Sequence, residues 1–373
     1  MKKVLFVATV TKHINAFHIP YLKWFKEEGY EVHVASNGNE QIEYCDKHYN
    51  LPFERFPLRK NNIKTYRELK KIINENKYEI IHCHTPVGGV LTRLAAKKAR
   101  KNGTKVIYTA HGFHFYKGAP LLNWLIYYPI EKWMSKYTDC LITINQEDYG
   151  LAKRNFKAKQ IELVSGVGIS EERFNFTMTA EEKHKLKESI GLKDDDYVLI
   201  QVGELNKNKN QIMAIKTMKE LVEINRNIKL LIVGKGKLEQ FYRDKIKEYN
   251  LQNNVYTLGY RKDIPELMKI SNILLSLSYR EGLPVNVIEG MVSGLPVIAT
   301  DCRGNRDLIK NEEKGYIVNI NDVTKLKECI LNIYNCKVSK FNKSETKQYL
   351  KETIMKDMER IYLEMERWLN GFK

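Results

Sequence analysis

The sequence predicts an α/β protein of two doubly wound, parallel-sheet domains facing each other across a cleft. Three observations point there. At 373 residues the chain is long for one hydrophobic core. Short apolar runs without helical period alternate with helix-patterned stretches through both halves. A mixed, charged tract, VSGVGISEERFNFTMTAEEKHKLKESIGLKDDD, interrupts the alternation and puts a boundary near Ser165–Gly168. The expected domains are 1–165 and 166–353, with a terminal helix at about 354–373 packing back on the first.

The elements follow in order. KVLFVAT (3–9), EVHVAS (31–36), EIIHCH (79–84), KVIYTA (105–110) and DCLITIN (139–145) read as parallel strands, apolar on both faces because helices cover both. FHIPYLKWFKEEG, YRELKKIINENK, GGVLTRLAAKKARKNG and LLNWLIYYPIEKWMSKY fill the gaps as helices. YVLIQVG (197–203), IKLLIVGKG (228–236), NVYTLG (254–259), NILLSLS (272–278) and LPVIAT (295–300) repeat the pattern in the second half. IMKDMERIYLEMERWLNGF (354–372) is apolar at helical spacing and reads as the terminal helix.

Composition narrows the class. Hydrophobic residues make up 43% and charged residues 29%, as in a soluble globular protein, and no run approaches the ~18 apolar residues of a spanning helix. MKKVLFVATV turns polar at Thr11-Lys12-His13 and lacks an A-x-A site, so it reads as a first core strand rather than a signal peptide. The cysteines Cys45, Cys83, Cys140, Cys302, Cys329 and Cys336 show no C-x-x-C spacing, which suits reduced thiols in a cytoplasmic protein. The net charge of +17 is uneven: residues 1–165 hold 27 Lys and Arg against 15 Asp and Glu, and residues 166–373 hold 35 against 30. Such a basic half attracts phosphates, nucleic acid or an anionic membrane surface. No aromatic-basic binding motif accompanies it, so nucleic acid is not an expected partner.

The stretch EGLPVNVIEGMVSGLPVIAT (281–300) carries the strongest chemical signal. It lies between two buried strands as a turn and a helix, with Pro284 suited to the first helical turn and Gly294 to the stop. Glu281 falls in the turn beyond a strand's carboxyl end, where open α/β sheets bind ligands. Glu289 falls about one and a half turns into the helix, from where it can lean back towards the helix start. Two acceptors beside a helix N-terminus that favours anions suit hydroxyl-rich groups on a phosphate, as in a nucleotide sugar.

EGLPVNVIE, with HTPVGGVLTRLAA, TAHGFHFYKGAP, YTDCLITINQEDY, VGELNKNKNQ and CRGNRDLI in this order, resembles glycosyltransferase family 4 of the GT-B fold, in the branch that builds bacterial capsular and exopolysaccharide repeat units. The resemblance covers the whole chain. It implies a retaining hexosyltransferase that uses a UDP-sugar donor and a polyprenyl-diphosphate-linked sugar acceptor, without a metal cofactor. By the family's pattern Glu289 would hold the ribose hydroxyls and Glu281 the hexose, while Gly282, Leu283, Pro284 and Val285 bring backbone amides to the sugar and diphosphate. The family's Gly-Arg-Leu…Lys motif maps onto Gly203-Glu204-Leu205 and Lys209, so Lys209 would grip the diphosphate. Glu204 stands where the Arg is expected, and Lys207 is the nearest replacement cation. Tyr260 and Arg261 would line the base pocket, and His111 would orient the donor sugar as a catalytic partner of Glu281.

Other readings stand beside these. His82 and His84 are spaced like metal ligands, but no third ligand is apparent from the sequence. Asp194-Asp195-Asp196 contains an Asp-x-Asp but reads as a solvated turn. KGAPLLNWLIYYPIEKW (117–133) places Trp124, Tyr127 and Tyr128 where they could meet a membrane interface and the acceptor, or else pack into the core. The nearest alternative function is a GT-B UDP-sugar epimerase, and a remoter one is a basic nucleic-acid-binding protein.

Overall fold

The computed structural model of the chain describes residues 1–57, 59–310, 315–335 and 343–370. They divide into two units, Met1–Val167 with Glu352–Lys373, and Gly168–Lys351. The first unit carries β1 (Lys3–Val10), β2 (Glu31–Asn37), β3 (Lys47–Asn50), β4 (Ile80–His84), β5 (Lys105–Ala110), β6 (Cys140–Thr143) and β7 (Gln160–Leu163). They form one sheet in the order β3-β2-β1-β4-β5-β6-β7. The second unit carries β8 (Tyr197–Val202), β9 (Ile228–Val233), β10 (Val255–Gly259), β11 (Ile273–Ser276), β12 (Val297–Thr300) and β13 (Gly315–Val318), ordered β10-β9-β8-β11-β12-β13. The ladders are parallel, for example β1 on β4 and β8 on β11. Both sheets are therefore doubly wound, as the alternation of strand and helix predicts.

Side-chain alternation explains the continuous apolar runs. Along β1, Val4, Phe6 and Ala8 enter one core while Leu5 and Val7 enter the core on the opposite face. Helices cover both faces, so neither set can be polar. Three strands escape the sequence reading: β3 (KHYN), β7 (QIEL) and β13 (GYIV). Each has four residues and lies at a sheet edge, where only part of the strand is buried and the apolar signal fades.

The helix Lys351–Asn370 belongs to the first unit. Its Ile354, Met358, Ile361, Tyr362 and Met365 are buried in the same core as Val4 and Phe6. Tyr362 Oη lies 2.8 Å from His82 Nδ1, and Arg360 reaches Glu162 at 2.8 Å. Residues 371–373 of the expected helix, and Cys336, lie outside the described residues. Among the described residues no helix is long and apolar enough to cross a membrane.

Candidate functional site

In the second unit the site grows from the carboxyl ends of the neighbouring strands β8 and β11. The loops leaving them are stitched together: Tyr279 N–H donates to Asn208 O at 2.8 Å, and Asn208 Nδ2 donates to Arg280 O at 3.1 Å. Asn286, in the first turn of the helix Val285–Ser293, donates to Val202 O at the end of β8 (3.1 Å). Within this bracket Lys209 Nζ meets Glu281 Oε1 at 2.7 Å, with 23% and 13% of the two side chains exposed. Gly203 leaves room for the Lys209 stem, since a Cβ there would stand 3.3 Å from its methylenes.

Two features of the bracket differ from a simple pair of free acceptors. Glu281 is already engaged by a cation. Behind it, buried Arg303 donates from Nε to Glu281 O at 3.0 Å. Its neighbour Gly304 packs so closely on the turn that a Cβ would lie 2.4 Å from Gly282 O. The motif CRGNRDLI assigns Arg303 no role by itself; the one sequence signal for it is an Arg opening a helix just past a strand end. Glu204 is exposed and accepts from Asn206 Nδ2 at 3.0 Å, and Lys207 is exposed too.

Pro284 is the N-cap rather than the first helical residue, and no side chain caps the helix it opens. Leu283 and Pro284 are buried beneath the turn, with Gly282 and Val285 half-buried on either side. Glu289 is half-buried, and desolvation pushes its carboxyl up from 4.5 to about 7, with Arg173 opposing. Tyr260 is 68% exposed, and the Arg261 guanidinium is held by Asp263 at 2.8 Å. In the acidic run, Asp194 and Asp195 are exposed as expected. Asp196 is not: it is buried and accepts from Lys193 N–H at 2.7 Å, which makes it a turn anchor rather than a solvated residue.

In the first unit, His111 directly follows β5 and does not stand alone. His13, His18 and His84 join it, one ligand-capable atom of each lying within 4.8 Å of all the others. This corrects the reading of His82 and His84 as an isolated pair. His84 finds its companions from β1's end and β5's end, which sequence spacing could not reveal. His82 instead spends both ring nitrogens on Tyr362 Oη and Thr109 Oγ1, each at 2.8 Å.

The helix Leu121–Met134 also departs from expectation. Trp124, Tyr127 and Tyr128 turn inward against the core, Trp124 and Tyr128 on Phe115, Tyr128 also on Phe156, and Tyr127 on His114. The exposed face is aliphatic instead: Leu121, Leu122, Leu125, Ile126 and Ile130, with Trp133 at the end. Helical spacing decides this, because positions 124, 127, 128 and 131 share one side and 121, 122, 125 and 126 the other.

Known proteins share this architecture. The profile described as Glycosyl transferases group 1 matches residues 182–354, and that described as Glycosyl transferase 4-like matches residues 3–145. EpsD of Bacillus subtilis (strain 168), which carries a glycosyltransferase name, is 46% identical over 338 residues, spanning 90% of this chain and 88% of its own. An Escherichia coli UDP-Gal:alpha-D-GlcNAc-diphosphoundecaprenol alpha-1,3-galactosyltransferase is 30% identical over 282 residues, spanning 74% of this chain and 72% of its own. HepE of Anabaena, solved with UDP and glucose, superposes with a TM-score of 0.78 at 17% identity, covering 98% of this chain and 100% of that one.

Proposed function

This chain belongs to the GT-B glycosyltransferases of the group 1 and family 4-like type, and from that premise we propose that it moves a hexose or N-acetylhexosamine from a UDP-sugar, with retention, to a sugar carried on a polyprenyl diphosphate. The observation that carries the reading is the Lys209–Glu281 pair at 2.7 Å, at the head of an uncapped helix that also bears Glu289. The name of the Escherichia coli relative supports both the UDP donor and the lipid diphosphate acceptor. That of the capsular polysaccharide biosynthesis glycosyltransferase CapM of Staphylococcus aureus, 25% identical over 346 residues, supports a role in surface polysaccharide synthesis.

In the proposed reaction the bond from the anomeric carbon to the UDP oxygen breaks, and an acceptor hydroxyl oxygen bonds to the same face. The hydroxyl proton leaves with the departing phosphate. Charge develops on that phosphate, where Lys209 and the N–H groups opening the Val285–Ser293 helix stabilise it without a metal ion. To do so Lys209 shifts from Glu281 to the diphosphate, which frees Glu281 to accept from hexose hydroxyls. Lys209 and Lys207 supply the positive charge that Glu204 cannot. Glu289 accepts from the ribose, Tyr260 and Arg261 flank the base, and His111 orients the sugar.

The aliphatic face of the Leu121–Met134 helix, with exposed Lys117, Lys132 and Lys136 nearby, supports docking on the anionic inner face of a membrane, where such an acceptor resides. A panel of UDP-sugars offered with a synthetic polyprenyl-diphosphate sugar tests the reading. Sugar transfer to the lipid is the expected outcome; conversion of the UDP-sugar with no acceptor present would favour the epimerase instead.

A further inference from the structure

The first unit gathers four imidazoles, of which the proposed donor recognition uses only His111. His13 lies in the helix that follows β1, His18 at the junction after it, His84 ends β4, and His111 follows β5. β1, β4 and β5 are neighbours in the sheet, so their carboxyl ends bring the four rings together. His18 and His84 stack at 3.8 Å between centroids, and His13 and His111 meet edge-on at 4.8 Å. His18 and His84 are 2% and 0% exposed.

A buried neutral imidazole normally settles its nitrogens on hydroxyls or carbonyls, as neighbouring His82 does. These rings do not. His13 Nε2, both nitrogens of His18 and of His84, and His111 Nε2 are buried with no hydrogen-bond partner among the described residues. Burial lowers His13 to about 4 and His111 to about 3, and holds His18 and His84 well below 6.5. Unpartnered ring nitrogens gathered this closely offer lone pairs, which suits a cation.

We propose that His13, His18, His84 and His111 form a binding site for one divalent transition-metal ion of the cobalt-to-zinc series. Four nitrogens around such an ion stand about 3.3 Å apart, given metal–nitrogen bonds of about 2.0–2.1 Å. The ligand atoms already lie within 4.8 Å of one another, so binding an ion requires the rings to turn and close by roughly 1–1.5 Å. A cavity of about 10 Å³, lined by His18, His84 and His111, gives room for a single small body. The half-buried positions of His13 and His111 give an ion a route inward. A nitrogen-only set without a carboxylate selects against magnesium and calcium.

One consequence rests on the transferase reading: an ion that holds His111 withdraws it from the donor sugar, so the metal inhibits transfer. The site itself does not depend on that reading. The test is titration of the metal-free full-length chain with Co²⁺, followed by visible absorption, with Zn²⁺ as competitor. Expected are one Co²⁺ per chain, the intense bands of a four-coordinate ion, and displacement by Zn²⁺. His13→Gln and His111→Gln should each weaken Co²⁺ binding at least tenfold, while His184→Gln, on the second unit's surface, leaves it unchanged. Absence of stoichiometric binding by the wild type would overturn the proposal whatever the variants do. So would binding that survives both ligand substitutions in variants that retain wild-type circular dichroism. Zn²⁺ that binds without slowing transfer would leave the site standing and remove His111 from the donor.

Discussion

At the scale of single residues the informative groups are the two glutamates and the lysine. Glu289 keeps its proton up to about pH 7 because the carboxylate is desolvated. Its folded pKa lies above the ordinary 4.5, so its contribution to stability is present below 4.5 and is lost as pH rises through about 7. In the proposed reaction donor binding carries the opposite sign, because the ionised form would be the better acceptor for two ribose hydroxyls. The Michaelis constant for the UDP-sugar should fall several-fold between pH 6 and pH 8, and Glu289→Gln should flatten that dependence while raising the constant at pH 8. An unchanged pH profile in the variant would remove Glu289 from the ribose. Glu281→Ala should chiefly lower turnover, by roughly ten- to a hundredfold, or about 1.4–2.8 kcal/mol. Lys209→Ala should cost a similar factor in kcat/KM. Since the two side chains touch, the double variant should lose less than the sum of the two effects, and strict additivity would show that the pair does not act as a unit.

At the scale of elements, the Leu121–Met134 helix has two faces of different character. Its aromatic face supports the core through Phe115, and its aliphatic face is exposed. Leu125→Asp with Ile126→Asp should abolish co-sedimentation with anionic vesicles and leave the melting temperature near that of the wild type. Trp124→Ser with Tyr128→Ser should instead destabilise the first unit, by about 1–3 kcal/mol per side chain. Vesicle binding that persists in the aspartate variant would move the membrane contact elsewhere. Neutral vesicles should bind less well than anionic ones, because each nearby lysine adds about 1 kcal/mol at an anionic surface.

At the scale of the whole molecule, the Lys351–Asn370 helix returns to the first unit with five buried side chains in its core. At about 1.5–3 kcal/mol for each large side chain removed from water, these five approach the whole net stability of a domain, about 5–15 kcal/mol. A chain ending at residue 350 should therefore lose the thermal transition of the first unit while the second retains its own; an unchanged first transition would contradict the packing. Transfer activity should also survive EDTA within about twofold if, as proposed, Lys209 and a helix terminus take the place of a diphosphate-bound cation. Loss in EDTA with recovery in manganese would refute that reading.

The sequence by itself determined the two doubly wound sheets, because strands covered on both faces must be apolar throughout and so announce themselves locally. It also determined the turn–helix unit from Glu281 to Gly294, whose Gly, Pro and carboxylates lie close together along the chain. The tertiary structure alone decided what depends on neighbours distant in sequence. Edge strands such as β3 and β7 are fixed by one partner and by no periodicity of their own. The Lys209–Glu281 pair joins two loops, and the hydrogen bond from Arg303 to the Glu281 carbonyl spans a strand. The faces of the Leu121–Met134 helix are assigned by what packs beneath it, since aromatics and aliphatics are equally apolar to a sequence pattern. The four histidines meet because β1, β4 and β5 are adjacent in the sheet although His13 and His111 lie far apart in the chain; strand order, which no local spacing encodes, brings them together.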